Sequence, residues 1–271
     1  ETATFVAART VFTAPVEWLA VLLARGTRVR LKPPSDAANT ALKLADVARA
    51  VGLPLTVDTA RGALDAELVV AMGSDETITE IGASLSGDSR FLGFGHRWSA
   101  AVIRLDDPEV WAGVALDAAL HDGRGCMSPV VVLTTLPFEA ASRRLASALE
   151  AVQRRLPLGE IDPSEAANIR ARRALARATG GVVEGEGWSI HGIPPDLFKP
   201  MALPRSVALV TVREAQVSAL LADPRVSTVG VDASAVLNVP GARICAPGWM
   251  QRPPLIRLHD GVDWIRATAR R

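Results

Sequence analysis

Short β-branched and apolar runs alternate with helix-length stretches from one end of this chain to the other, and that rhythm constrains its fold most strongly. A strand that is apolar on both faces must be covered on both, and helices between successive parallel strands provide that cover. Residues 3–12 (ATFVAARTVF) read as a strand, Pro15 opens an apolar helix and Gly26 closes it. The strand TRVRLK ends at Lys32-Pro33-Pro34, after which Ser35 or Asp36 caps a helix to about Val51, followed by Gly52. Short strands near Pro54 to Val57 and at Ala66 to Met72 come next. The second enters Gly73-Ser74-Asp75-Glu76-Thr77, a turn that opens a helix to about Leu85. The expected class is α/β, a doubly wound parallel sheet.

After Gly95 a second α/β lobe begins. It holds the strand AAVIRL (100–105), a helix over Pro108 to Ala119, the turn His121 to Pro129, the strand VVVLTT and a helix from Phe138 to about Arg155. An Ala/Arg-rich helix from Ser164 to Ala178 is expected to turn its arginines to solvent. Residues 180–204 are expected to be irregular, and SVALVTV, VSTVG and ARICA are read as further strands. The expected division is 1–98 and 99–271, with the C-terminal tail returning to the first lobe.

With 49% hydrophobic and 22% charged residues, 271 residues suffice for an extensive core, and a net charge of +1 gives no field for nucleic acid or anionic membranes. Glu17, Arg25, Arg28 and Arg30 interrupt the most apolar early stretch, so no run reaches the roughly 18 to 20 residues of a membrane helix. There is no signal-peptide pattern, and the expected compartment is the cytoplasm. The chain opens on Glu1, directly into a strand-like segment, as though residues upstream were missing. Tyrosine is absent, and Cys126 and Cys245 have no metal-ligand spacing, so no metal site is expected.

Cys126 stands between Gly125 and Met127-Ser128-Pro129, just ahead of an apolar strand. A tight turn there projects the thiol into a cleft, where backbone N–H groups and the Arg124 guanidinium favour a thiolate. The competing reading is an inert small hydrophobe. His96, between Gly95 and Trp98, is either an acid/base group or a packing histidine; His191 and His259 are expected at the surface.

Five ordered segments together resemble the acyl-CoA reductase family of the bacterial luminescence fatty-acid reductase type, a branch of the aldehyde dehydrogenase superfamily. They are Leu31-Lys32-Pro33, Gly73 to Thr77, Gly95 to Ser99, Asp122 to Pro129, and Arg243 to Pro254 with His259-Asp260-Gly261 behind it. The resemblance implies an aldehyde-dehydrogenase-like fold with a cofactor lobe and a catalytic lobe. It makes Cys126 the nucleophile that takes an acyl group from coenzyme A or an acyl carrier protein, for reduction to an aldehyde with NADPH or NADH. Lys32, otherwise a strand-terminal surface lysine, then serves the adenosine ribose or its 2′-phosphate, Gly73 and Ser74 the pyrophosphate, and His96 a proton transfer. Ser74 as a plain helix cap is the competing reading for that turn.

The chain departs from the superfamily in two ways. It is shorter at its start, and no asparagine stands in Thr13 to Trp18, where the superfamily usually places an oxyanion donor. Glu17 in that segment opposes a nearby thiolate or pyrophosphate unless an arginine neutralises it. Three functions stay open: a thioester reductase, a non-redox acyl transferase using Cys126, and a catalytically degenerate binding or scaffold protein, with a homo-oligomer or a pathway protein as partner.

Overall fold

The computed structural model describes residues 1–271 apart from 10, 12, 35–37, 61–63, 234–236 and 270–271. The chain forms two compact units, Glu1–His96 with Leu255–Arg271, and Arg97–Pro254. The expected helix caps Ser35 and Asp36 lie outside the described residues.

In the first unit β1 (Thr2–Val6), β2 (Arg28–Lys32), β3 (Leu55–Val57), β4 (Leu68–Met72) and β5 (Arg90–Phe94) form a wholly parallel sheet in the order β3-β2-β1-β4-β5. The connections carry α1 (Ala14–Ala24), α2 (Ala38–Ala50) and α3 (Asp75–Ser84). β4 reads LVVAM and is buried at every position, as a strand covered on both faces must be. The order reverses at β1, whose neighbours β2 and β4 lead to opposite edges; open parallel sheets bind ligands at the carboxyl ends beside such a reversal. Lys32 ends β2 opposite Val6, and Gly73 follows β4 at that same edge.

Trp18 of α1 is fully buried among Phe5, Phe94, His259 and Trp264, with ring centroids 6.1, 5.1, 5.3 and 4.6 Å away. His259 therefore corrects the expectation of a surface histidine. Asp260 and Gly261 take left-handed φ of 49° and 84°, and His259 and Val262 exchange backbone hydrogen bonds across them. Such a hairpin turn fixes the ring's direction, and here it lies between Trp18 and Phe94.

In the second unit β6 (Trp98–Ile103), β7 (Pro129–Thr134), β8 (Val182–Gly185), β9 (Trp188–Gly192), β10 (Ser206–Thr211), β11 (Val226–Val231) and β12 (Arg243–Cys245) form a sheet in the order β12-β11-β6-β7-β10-β9-β8. Only β8 runs antiparallel to its neighbour. α4 (Pro108–Ala119) and α5 (Phe138–Arg155) pack Trp111, Leu145 and Leu149 on one face of the sheet. On the other face α6 (Pro163–Thr179) and α7 (Glu214–Leu220) contribute Ala176 and Val217.

Three expectations fail in this unit. Residues 180–204 are not merely irregular: β8 and β9 form a hairpin there, turned at Gly187 (φ 74°), and β9 is buried throughout because it lies between β8 and β10. Gly180 and Gly192 approach each other's carbonyls so closely that neither has room for a Cβ. His191, expected at the surface, lies inside β9, where burial and the charges of Arg172, Arg173 and Arg177 push its pKa down to about 4. Arg172 is buried rather than solvated, and donates to the Lys199 carbonyl at 3.2 Å.

Glu17 ties α1 to the C-terminal segment. Arg257 donates to both its oxygens, at 2.9 and 2.5 Å, and His259 Nδ1 lies 3.7 Å away. Burial would raise the Glu17 pKa, but hydrogen bonds and charge from His259 and Arg257 outweigh it and hold the group at about 2, below its usual 4.5. A carboxylate with a depressed folded pKa stabilises above its unfolded pKa and loses that contribution as the pH falls through the folded one. Glu17 therefore supplies about 3 kcal/mol above pH 4.5, lost between there and pH 2. In urea unfolding followed by tryptophan fluorescence, Glu17→Gln should show a smaller loss of stability than the wild type from pH 5 to pH 3. Parallel curves would refute this assignment.

Candidate active site

The Cys126 turn is built by a run of left-handed residues. After α4 the chain makes a short 3-10 turn, Leu120–Gly123, in which His121, Asp122 and Gly123 have φ of 53°, 54° and 73°. Two of these are not glycine, a costly arrangement that persists only where the surroundings impose it. The imposing group is the Asp122 carboxylate. It accepts from Arg124 Nη1 at 3.1 Å and from the Gly159 N–H at 3.3 Å, and pairs with Arg205 Nη2 at 2.9 Å. The Arg205 N–H also donates to the Asp122 carbonyl at 3.0 Å, and Arg205 itself is left-handed, φ 41°.

Arg124 does not take the role expected of it. Its Nε and Nη2 form a fork on Glu165 at 2.7 and 2.8 Å, and Nη2 also reaches the Glu160 carbonyl at 2.7 Å. A guanidinium matched to two carboxylates is neutralised where it stands, so it adds little to thiolate stabilisation.

Beyond Gly125 the chain makes a tight turn in which Ser128 N–H donates to the Gly125 carbonyl at 2.9 Å, with Cys126 and Met127 as central residues. Cys126 is exposed, whereas the glycine before it and the serine two residues on are buried. The Ser99 hydroxyl, wholly buried at the start of β6, donates to the Cys126 carbonyl at 2.6 Å and accepts from Thr228 N–H of β11 at 3.1 Å. Gln251 Nε2 donates to Ser128 Oγ at 2.7 Å and to the Asp117 carbonyl at 3.2 Å. Asp117 in turn accepts from the N–H groups of Gly248 and Met250, at 2.5 and 3.2 Å; burial dominates these hydrogen bonds and pushes its pKa up to about 6.

The other candidates stand in the first unit. Lys32 Nζ lies 3.1 Å from Asp58 and donates to the Ala60 carbonyl at 2.8 Å; its hydrogen bond, with that of Ala60 N–H, holds the Asp58 carboxyl below the usual range. Ser74 caps α3, its Oγ accepting from Thr77 N–H at 3.2 Å, and Gly73 N–H donates to the Phe94 carbonyl at 3.1 Å. Glu76 is held low by its own backbone N–H and the Ser74 hydroxyl. The exposed His96 is held through its backbone, which donates to Asp75 Oδ1 at 2.7 Å; a Cβ on Gly95 would collide with that oxygen. Lys32, Gly73, Ser74 and His96 thus share the carboxyl edge of one sheet, while Cys126 belongs to the other unit.

Among the described residues no group of acidic, histidine and cysteine side chains is disposed to hold a metal ion, and no helix is long and apolar enough to cross a membrane. Sequence reading missed Ser99, Arg205 and Asp117, whose side chains find their partners 27 to 133 residues away. Arg205→Ala should cost about 2 to 4 kcal/mol in urea unfolding, because it removes a buried guanidinium from the half-buried Asp122 and leaves the turn underdetermined. A loss under about 1 kcal/mol, the scale of a surface ion pair, would show that the turn does not depend on it.

A family model described as acyl-CoA reductase (LuxC) matches residues 58–270. No curated protein matches the chain. Among solved structures, it is similar to an NAD-dependent aldehyde dehydrogenase from Sinorhizobium meliloti (17% identity, TM-score 0.71, covering 90% of this chain and 58% of that one). It is also similar to an indole-3-acetaldehyde dehydrogenase of P. syringae (15%, 0.74, 90% and 60%). A third is the gamma-glutamyl-gamma-aminobutyraldehyde dehydrogenase from Burkholderia cenocepacia (18%, 0.72, 87% and 56%). The chain therefore has the aldehyde dehydrogenase-like fold and spans less than two thirds of those chains.

Proposed function

The chain belongs to the acyl-CoA reductase (LuxC) family, and on that premise we propose that it reduces an acyl thioester, carried on coenzyme A or a carrier protein, to an aldehyde. The observation that carries this reading is the exposed Cys126 on a tight turn immediately ahead of a wholly buried strand. The Cys126 thiolate attacks the thioester carbonyl carbon, the carbonyl electron pair moves to oxygen, and its return expels the carrier thiolate, which takes up a proton. An acyl-enzyme thioester remains on Cys126.

The carboxyl edge of the first unit is where this reading puts a nicotinamide dinucleotide. An apolar depression lined by Ala7, Leu31, Pro33 and Leu44 adjoins Lys32, and the Ser74-capped α3 begins beside the reversal in strand order. Lys32 would hold the adenosine ribose or its phosphate, and Gly73 and Ser74 the pyrophosphate. When bound, NADPH or NADH supplies the hydride that converts the acyl group to aldehyde. Cys126 leaves as thiolate and is reprotonated. Thiol chemistry of this kind suits a reducing compartment such as the cytoplasm.

The test is incubation with acyl-CoA thioesters of graded chain length and NADPH or NADH, following intact mass and nicotinamide absorbance. The wild type should gain the acyl mass on Cys126 and consume the reduced nicotinamide, and Cys126→Ala should do neither. Acylation without nicotinamide loss would replace the reductase by an acyl transferase. A folded wild type that does neither would leave a binding or scaffold role.

A further inference from the structure

We propose that the backbone N–H of Met127 is an oxyanion donor of this site and that Ser99 is the residue that positions it. The proposal rests on the acyl-enzyme reading of Cys126. Attack on a thioester develops negative charge on the carbonyl oxygen, and a preorganised N–H aimed at that charge contributes about two to three powers of ten in rate. The backbone of the Cys126 turn offers N–H groups of this kind.

The orientation of the Cys126–Met127 peptide follows from one hydrogen bond. The peptide is trans, as every peptide bond described is, so the Met127 N–H points opposite to the Cys126 carbonyl. That carbonyl is drawn toward the wholly buried Ser99 hydroxyl, at 2.6 Å. The Met127 N–H accordingly points away from the buried Ser99, on a turn whose Cys126 side chain is exposed.

The turn leaves this donor available. Its closing hydrogen bond uses Ser128 N–H, and neither Cys126 nor Met127 has a positive φ, so Met127 is the third residue of a turn whose own pattern makes no use of its N–H. Among the described residues no acceptor lies on it. Ser99 is itself fixed: it accepts from Thr228 N–H at 3.1 Å, where the pairing of β11 with β6 shifts register. The bulge leaves the Thr228 N–H outside the regular ladder, and the Ser99 oxygen takes it up. The hydroxyl proton is thereby directed to Cys126.

In the reaction the Cys126 sulfur bonds to the thioester carbon, the carbonyl pair moves onto the oxygen facing Met127 N–H, and the pair returns as the carrier thiolate departs. Nothing is oxidised or reduced in this step. Ser99 does not touch the substrate; it acts through the peptide plane.

Two rates measured on the full chain separate this role from a structural one. Alkylation of Cys126 by iodoacetamide displaces iodide at a saturated carbon and develops no oxyanion, whereas acylation by an acyl-CoA does. Ser99→Ala should slow acylation, read by intact mass against time, about 10- to 100-fold while leaving the alkylation rate and its pH profile in place. Replacing Met127 by its α-hydroxy analogue exchanges the N–H for an ester oxygen without removing a side chain, and should slow acylation at least as much. Unchanged acylation in either variant would overturn the proposal. So would equal losses of acylation and alkylation, which would make Ser99 a structural residue. A wild type that is alkylated normally but never acylated would instead remove the acyl-enzyme reading, and this proposal with it.

Discussion

The carboxylate of Asp122, gripped by Arg124 and Arg205, is the constraint on which the rest of the candidate site depends. Each non-glycine residue in left-handed space costs on the order of 1 to 3 kcal/mol, and His121, Asp122 and Arg205 all lie there. Charge-assisted hydrogen bonds of about 1.5 to 3 kcal/mol each offset that cost. The gain is a chain that leaves α4, reverses within three residues, and enters β7 with Cys126 at the surface and the residues after Ser128 buried. Within the cluster Arg124 and Arg205 are matched by Asp122 and Glu165, so it orders the turn without giving it a net charge.

Elsewhere too, buried polar groups join segments that are remote in sequence. Ser99 joins β6, β11 and the cysteine turn; Asp117 holds the loop at Gly248 and Met250; Glu17 holds Arg257 against α1. At each point an apolar contact would fix depth but not direction. A hydrogen bond to a named backbone atom fixes direction, and the acyl transfer chemistry proposed for Cys126 depends on direction.

The departures from the superfamily change meaning in this light. Glu17, which in isolation opposes a thiolate or a pyrophosphate, is neutralised by Arg257 and serves to anchor the C-terminal segment of its own unit. Thioester reduction also requires no activated water, so nothing in the proposed chemistry calls for a carboxylate base beside the acyl group.

Alternating apolar runs, proline stops and helix-closing glycines sufficed to place α4 and α5, most strands of both sheets and the turn that presents Cys126, because each is a local property of a few neighbouring residues. The β5 segment RFLGF gave no such signal: it is an edge strand, half-buried, with Gly93 inside it. The hairpin of β8 and β9 hid behind glycines that a loop would also carry, although those at 180 and 192 serve close backbone approach. Likewise His191 and His259 look like surface residues until the strands and rings that enclose them are in place. The sequence by itself determined the α/β architecture and the family. Only the tertiary structure decided that Arg124 faces carboxylates, that Arg257 neutralises Glu17 and that Ser99 aims the Cys126 peptide. Apart from Asp122, two residues from Arg124, those partners stand 27 to 240 positions apart, and it is the packing of whole elements, not any local preference, that brings their atoms within hydrogen-bonding distance.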